Sequence, residues 1–238
     1  MQYIFLFLFI IILFFISFYI LYEYIKFTII KKKIHFYKNY NEIINTKYLN
    51  NTIYLNKLPN NIKYFYQNLE KYLNLDIYFY GSILRDDFNL KHSDIDTCLF
   101  IKNNDKHENI IDKILYYLNI NHIKDNNNIK IKIFEIKLKL NNFTYNGLLI
   151  NYKSDKLRTD FLIYSEKYKK NILLNNIQKS HTIHSIQVNL LKYFKYFTNE
   201  LKIISIDNYN NIKNDILVIG YENIYDSFEK EKIKEIKL

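Results

Sequence analysis

The chain has 238 residues and, with 34 Lys and Arg against 24 Asp and Glu, a net charge of +10. That length holds one compact domain, or a small catalytic domain with a helical appendage, once a membrane segment is set aside. Lys, Asn, Ile and Tyr dominate, Ala is absent and Arg occurs only at Arg85 and Arg158, so the basic balance is a bias spread over the whole chain and does not by itself identify a polyanion partner.

A single cysteine, Cys98, excludes an intrachain disulfide scaffold and fits a reducing compartment. No Cys/His cluster has zinc spacing, which leaves His181 and His184 as helix-surface or interface residues. From Tyr3 to Tyr22 the sequence is apolar or aromatic apart from Ser17, the length a helix needs to cross ~30 Å of hydrocarbon. No basic segment precedes this run and no small-residue cleavage site follows it, so it predicts a retained transmembrane anchor over residues 1–23. Lys26, Lys31, Lys32 and Lys33 follow the span, and the positive-inside rule then leaves the remainder in the cytosol.

Residues 24–57, rich in Lys, Asn and Tyr with broken periodicity, read as a juxtamembrane linker with at most one short helix. After Pro59, Ile62, Phe65, Leu69 and Leu73 recur at helical spacing, and Asp76 to Tyr80 is a short apolar strand ended by Gly81. Asp94 to Ile101 predicts a second strand and residues 107–119 a helix; Ile129 to Leu140 alternates as a strand, with further strands near Leu148 to Tyr152 and Arg158 to Tyr164. The fold class is therefore α+β: a mixed sheet with flanking helices over residues 58–165, followed by a helical C-terminal region over residues 166–238. In that region Ile183, Ile186, Leu190, Phe194 and Phe197 mark an amphipathic helix, and the lysine-rich tail is expected to be helical.

The chemistry concentrates in Tyr80-Gly81-Ser82-Ile83-Leu84-Arg85, a polar loop, and His92-Ser93-Asp94-Ile95-Asp96-Thr97. Alternate residues of a strand share a side, so Asp94 and Asp96 are expected to offer two carboxylates from one face. Mg²⁺ is commonly held by one or two carboxylates plus substrate phosphates. Gly81 lets the backbone approach a ligand, and Ser82 offers a hydroxyl and a backbone N–H to phosphate oxygens. Arg85 and Arg158 lie close to these elements, and guanidinium binds phosphate bidentately, although a local ion pair of Arg85 with Asp86 or Asp87 explains it equally well.

Gly-Ser, a variable loop and Asp-x-Asp on the next strand resemble the signature of the polymerase-β-like nucleotidyltransferase superfamily, over roughly residues 60–165. The resemblance implies a nucleoside triphosphate donor bound by Gly81, Ser82 and Arg85, and Mg²⁺ or Mn²⁺ held by Asp94, Asp96 and a third acid from a later strand. Asp160 is the favoured third acid; the competitor, Glu135, is interleaved with Lys130, Lys132, Lys137 and Lys139 and reads as a cross-strand charge. The implied reaction is two-metal transfer of a nucleoside monophosphate to an acceptor, which the sequence leaves open; RNA is one candidate.

Two rival functions remain at this stage. A membrane-anchored glycosyltransferase also combines one anchor with Asp-x-Asp, and the sequons at Asn50 and Asn142 would suit a lumen, but the basic flank lies on the wrong side of the span. A catalytically degenerate nucleotide-binding module would keep the motif without turnover.

Overall fold

The computed structural model describes residues 2–39, 55–91, 93–102, 107–119, 128–140, 143–218 and 227–237; the sequons at Asn50 and Asn142, and His92, lie outside them. In chain order the elements are α1 (Gln2–Lys38), α2 (Asn60–Leu73), β1 (Ile77–Tyr80), a 3-10 turn (Gly81–Leu84), β2 (Ile95–Ile101), α3 (His107–Leu118), β3 (Lys130–Leu140), β4 (Phe143–Lys153), β5 (Arg158–Ser165), a second 3-10 turn (Glu166–Tyr168), α4 (Lys169–Thr182), α5 (Ser185–Asn199), α6 (Ile206–Val218) and β6 (Ser227–Lys237). They divide into two compact units, one of Met1–Lys38 with Thr182–Asn223, the other of Asn39–His181 with Ile224–Leu238.

In the first unit α1 is a single helix of 37 residues, about 55 Å long and so longer than a bilayer core. Phe7–His35 is long and apolar enough to be a candidate membrane span. The linker expected from residue 24 is helical as far as Lys38, because no Gly or Pro interrupts the run; residues 40–54 of it lie outside the described residues. The C-terminal half of α1 has protein partners: Ile25 and Ile29 are buried, and Lys32 Nζ donates to the Ile183 carbonyl at 2.9 Å. His184 is not a surface residue. It caps α5, its Nδ1 accepting from the Ile186 N–H at 3.1 Å while Gln187 Oε1 accepts from its own N–H at 2.8 Å, and its ring lies edge-on to Tyr24. Leu191 of α5 and Ile216 of α6 then close a small core with Ile183.

The second unit is a mixed six-stranded sheet in the order β1-β2-β5-β4-β3-β6. Among the described residues β2 and β5 pair in parallel and the other neighbours are antiparallel. The chain leaves β2 through α3, makes the long β3–β4 hairpin, turns at Ser154–Leu157, where the Ser154 N–H meets the Leu157 carbonyl at 2.8 Å, and returns as β5 beside β2. The apolar stripe read from Ile62 to Leu73 buries α2 on one face of this sheet. There Tyr66, fully buried, packs its ring on Phe79 and Phe161 and donates its hydroxyl to Thr159 Oγ1 at 2.7 Å. Asn74, at φ 52°, ends α2 in the left-handed region.

The C-terminal tail departs from the helical expectation: it is β6, paired along β3. Its alternating Glu and Lys complement the lysines of β3, with Lys139 Nζ 2.6 Å from Glu229 and Lys130 Nζ 3.4 Å from Glu235. The register slips between Ile133 and Phe134, so that Lys234 pairs with Ile133, Lys232 pairs with Phe134, and Ile233 is the extra residue of a bulge. The sheet unit thus extends past residue 165 to include α4 and β6.

Candidate active site

The register of the sheet builds the site. Tyr80 pairs with Asp96 across β1–β2, Asp96 with Asp160 across β2–β5, and Asp160 with Asn151 across β5–β4, so these four residues form one line over four strands. Neighbouring strands lie roughly 4.8 Å apart, which sets the Asp96 and Asp160 carboxylates side by side on the face opposite α2. Both are partly exposed, while Ile95, Thr97, Thr159 and Phe161, pointing the other way, are buried. The buried threonines lock the two strands: Thr97 Oγ1 donates to the Asp160 carbonyl and Thr159 Oγ1 to the Ile95 carbonyl, each at 2.9 Å.

Gly81 follows β1 with φ +72°, and a Cβ there would overlap Asp96 Oδ2. The glycine is needed twice, for the left-handed turn and for the carboxylate that lies against its Cα. The turn it opens is fastened from outside. Arg85 N–H donates to the Ser82 carbonyl at 2.9 Å, Lys57 Nζ to the Ile83 carbonyl at 3.0 Å, and Ser180 Oγ of α4 to the Gly81 carbonyl at 3.3 Å. Among the described residues the Ser82 hydroxyl has no hydrogen-bond partner.

Arg85 points into the structure. Its Nε and Nη2 donate to the two carboxylate oxygens of buried Asp87 at 2.6 and 3.0 Å, with only 8% of the Arg85 side chain exposed. The geometry is therefore that of the local ion pair: Arg85 holds the loop after the turn. That loop closes through Ser93, whose N–H donates to the Asn89 carbonyl at 2.7 Å and whose hydroxyl accepts from the Asn89 N–H.

Asp94 lies one residue ahead of β2 and is exposed, so strand alternation does not fix its side chain beside Asp96. Among the described residues no three His, Cys, Asp or Glu side chains are grouped closely enough to enclose a metal ion. The pair Asp96 and Asp160 suits a hard divalent cation that takes its other ligands from phosphate and water. Glu135 is elsewhere: it registers with Leu148 and Glu231, three positions along β3 from Lys132, which continues the line of Asp160 and Asn151, and it is exposed.

Two members of this line were not singled out from sequence. Asn151 donates its amide to Asp160 Oδ1 and so fixes the orientation of that carboxylate. Its signal was a lone polar residue between Ile150 and Tyr152, informative only once the β4–β5 register is known. Tyr80 ends β1 against the acids; burial, and then the Asp96 and Asp160 charges, hold its phenol well above its usual range, so it stays protonated.

No curated protein matches the chain. Solved structures similar to it include a GLD-2/RNP-8 complex, at 17% identity and a TM-score of 0.36 over 70% of this chain and 59% of that one. Another is the non-canonical poly(A) polymerase complex GLD-2–GLD-3, at 19% identity and a TM-score of 0.35 over 65% of this chain and 50% of that one. The chain thus spans only about half of the length of those two chains. The family model described as nucleotidyltransferase domain matches residues 62–237, from α2 through β6 and across every element of the site. With most of its length inside that match, the chain belongs to the nucleotidyltransferase domain family.

Proposed function

We propose that the chain is a metal-dependent enzyme that moves a nucleoside monophosphate from a nucleoside triphosphate to an acceptor hydroxyl, with Asp96 and Asp160 as its centre. The observation that carries this reading is the parallel register that sets these two carboxylates side by side, with the Gly81–Ser82 turn against Asp96. Asp96 and Asp160, joined by Asp94 from its exposed position, hold Mg²⁺ or Mn²⁺. When bound, such ions neutralise charge at the α-phosphoryl group and the leaving pyrophosphate. Gly81 and Ser82 receive the triphosphate through backbone N–H and hydroxyl, and Arg85 serves them indirectly by bracing the loop through Asp87.

The acceptor oxygen attacks the α-phosphorus, the bond from that phosphorus to the bridging oxygen of pyrophosphate breaks, and the acceptor proton passes to Asp160. Asn151, donating to Asp160 Oδ1, orients this carboxylate for that work. The test is transfer of α-label from four triphosphates with Mg²⁺ or Mn²⁺. Asp96→Asn is expected to abolish transfer, and unchanged turnover in that variant sinks the assignment.

The proposal includes α1 as a membrane anchor with the sheet unit in the cytosol, supported by the apolar Phe7–His35 stretch and by Lys31, Lys32 and Lys33 near its end. Glycan occupancy at Asn142 in cells would place the sheet unit in a lumen and refute that orientation. The exposed position of Asp94 favours one second reading, a module that binds nucleotide without turnover. Calorimetry with a non-hydrolysable triphosphate and Mg²⁺ separates the two, since binding without transfer supports the module.

A further inference from the structure

The cations of the sheet are distributed unevenly about the acid pair. Continuing the line of Asp96, Asp160 and Asn151, the next residue is Lys132 on β3. Two positions along each strand toward the same end, and therefore on the same face, are Arg158 on β5, Lys153 on β4 and Lys130 on β3, mutually in register. Lys130 is paired with Glu235. Arg158, Lys153 and Lys132 have no ion pair or hydrogen bond from their side chains among the described residues. With Arg85 spent on Asp87, Arg158 is the second of only two arginines in a lysine-rich chain. Neighbouring strands place such groups roughly 5 Å apart and alternate residues roughly 7 Å apart, so three positive groups border Asp160 and Asn151 within a small area.

The position of this cluster relative to the Gly81–Ser82 turn gives it a role. In the order β1-β2-β5-β4-β3, the turn lies at the β1 side of the acids and the cluster at the β5–β4–β3 side. In-line displacement puts the attacking and leaving oxygens on opposite sides of the phosphorus. A triphosphate received at the turn directs its pyrophosphate toward β1, and the acceptor must approach from β5 and β4.

We infer that the acceptor is a single-stranded nucleic acid whose phosphates rest on Arg158, Lys153 and Lys132 as its terminal hydroxyl reaches Asp160. This inference rests on the proposed function and names its acceptor class. Charge complementarity selects the occupant, and the setting distinguishes a strand from a bilayer. Arg158 and Lys132 are only partly exposed on the sheet floor, where an extended strand can settle; a lipid surface engages protruding groups.

The test uses the full chain in zwitterionic detergent and a fluorescent single-stranded RNA oligomer, with anisotropy read without triphosphate across a salt series. The triple variant Arg158→Gln, Lys153→Gln, Lys132→Gln is expected to lose about tenfold or more in RNA affinity and to flatten the log–log salt slope by about 2. A control triple of exposed lysines, Lys71→Gln, Lys102→Gln and Lys113→Gln, is expected to change both far less. Retained RNA affinity in the first triple overturns the inference, as does an equal loss in the control. A loss confined to binding of phosphatidylserine–phosphatidylcholine vesicles overturns it in favour of a membrane face. Absence of α-phosphate transfer by the native chain counts against the proposed function and not against this surface.

Discussion

On the α2 face of the sheet, buried Thr159 accepts a hydrogen bond from Tyr66, whose ring packs on Phe79 and Phe161, and donates one to the Ile95 carbonyl. One residue further along β5 and on the opposite face, Asp160 stands partly open beside Asp96, its carboxylate accepting from the Asn151 amide. The first arrangement stabilises, because burial is combined with satisfied polar groups. The second costs stability, since two like charges on neighbouring strands repel and persist only because the backbone around them is fixed by the first.

Substitutions at adjacent positions separate the two roles. Asp160→Asn is expected to lower α-label transfer about 10³-fold while the urea midpoint stays level or rises as the repulsion is relieved; loss of stability in parallel with turnover would erase the distinction. Phe161→Ala, one residue away, is expected to cost about 3–5 kcal/mol of stability in urea unfolding, and residual transfer per folded molecule close to native would confirm that this residue serves only the dry face. Gly81→Ala touches both: with φ +72° and Asp96 Oδ2 against it, it is expected to cost more than about 1 kcal/mol and to raise the KM for triphosphate, read from steady-state kinetics. The smallest effect belongs to Tyr66→Phe, which leaves Thr159 short of one donor and is expected to cost about 1 kcal/mol with kcat and KM both unaltered.

The Gly81 turn, α2 and the central strands were legible because each depends on local spacing: Ile62 to Leu73 at helical period, Gly81 where a left-handed turn was required, alternation through β3. What was not legible depends on partners. Asn151 acquires a role only through the pairing of β4 with β5, and for Arg85 the spacing left a phosphate and a local ion pair equally open until the position of Asp87 decided between them. The tail Ser227–Lys237 misled because the bulge at Ile233 breaks the alternation of Phe228, Ile233 and Ile236, and because charged strands take their conformation from the neighbour they pair with. Asp94 was placed in the strand by pattern, whereas the strand begins at Ile95; strand ends are set by the ladder of hydrogen bonds available to them.

The bond from Thr97 Oγ1 to the Asp160 carbonyl spans 63 residues of chain. Helices such as α2 form from neighbours in sequence, but β2 and β5 meet only after the hairpin between them has been laid down and its loop entropy overcome. Every shorter-range structure can be present while the two acids remain far apart. Turnover in a refolding chain is therefore expected to be a late clock, returning with this long-range pairing and not with helical signal, and a chain stalled before that pairing keeps its helices without a site.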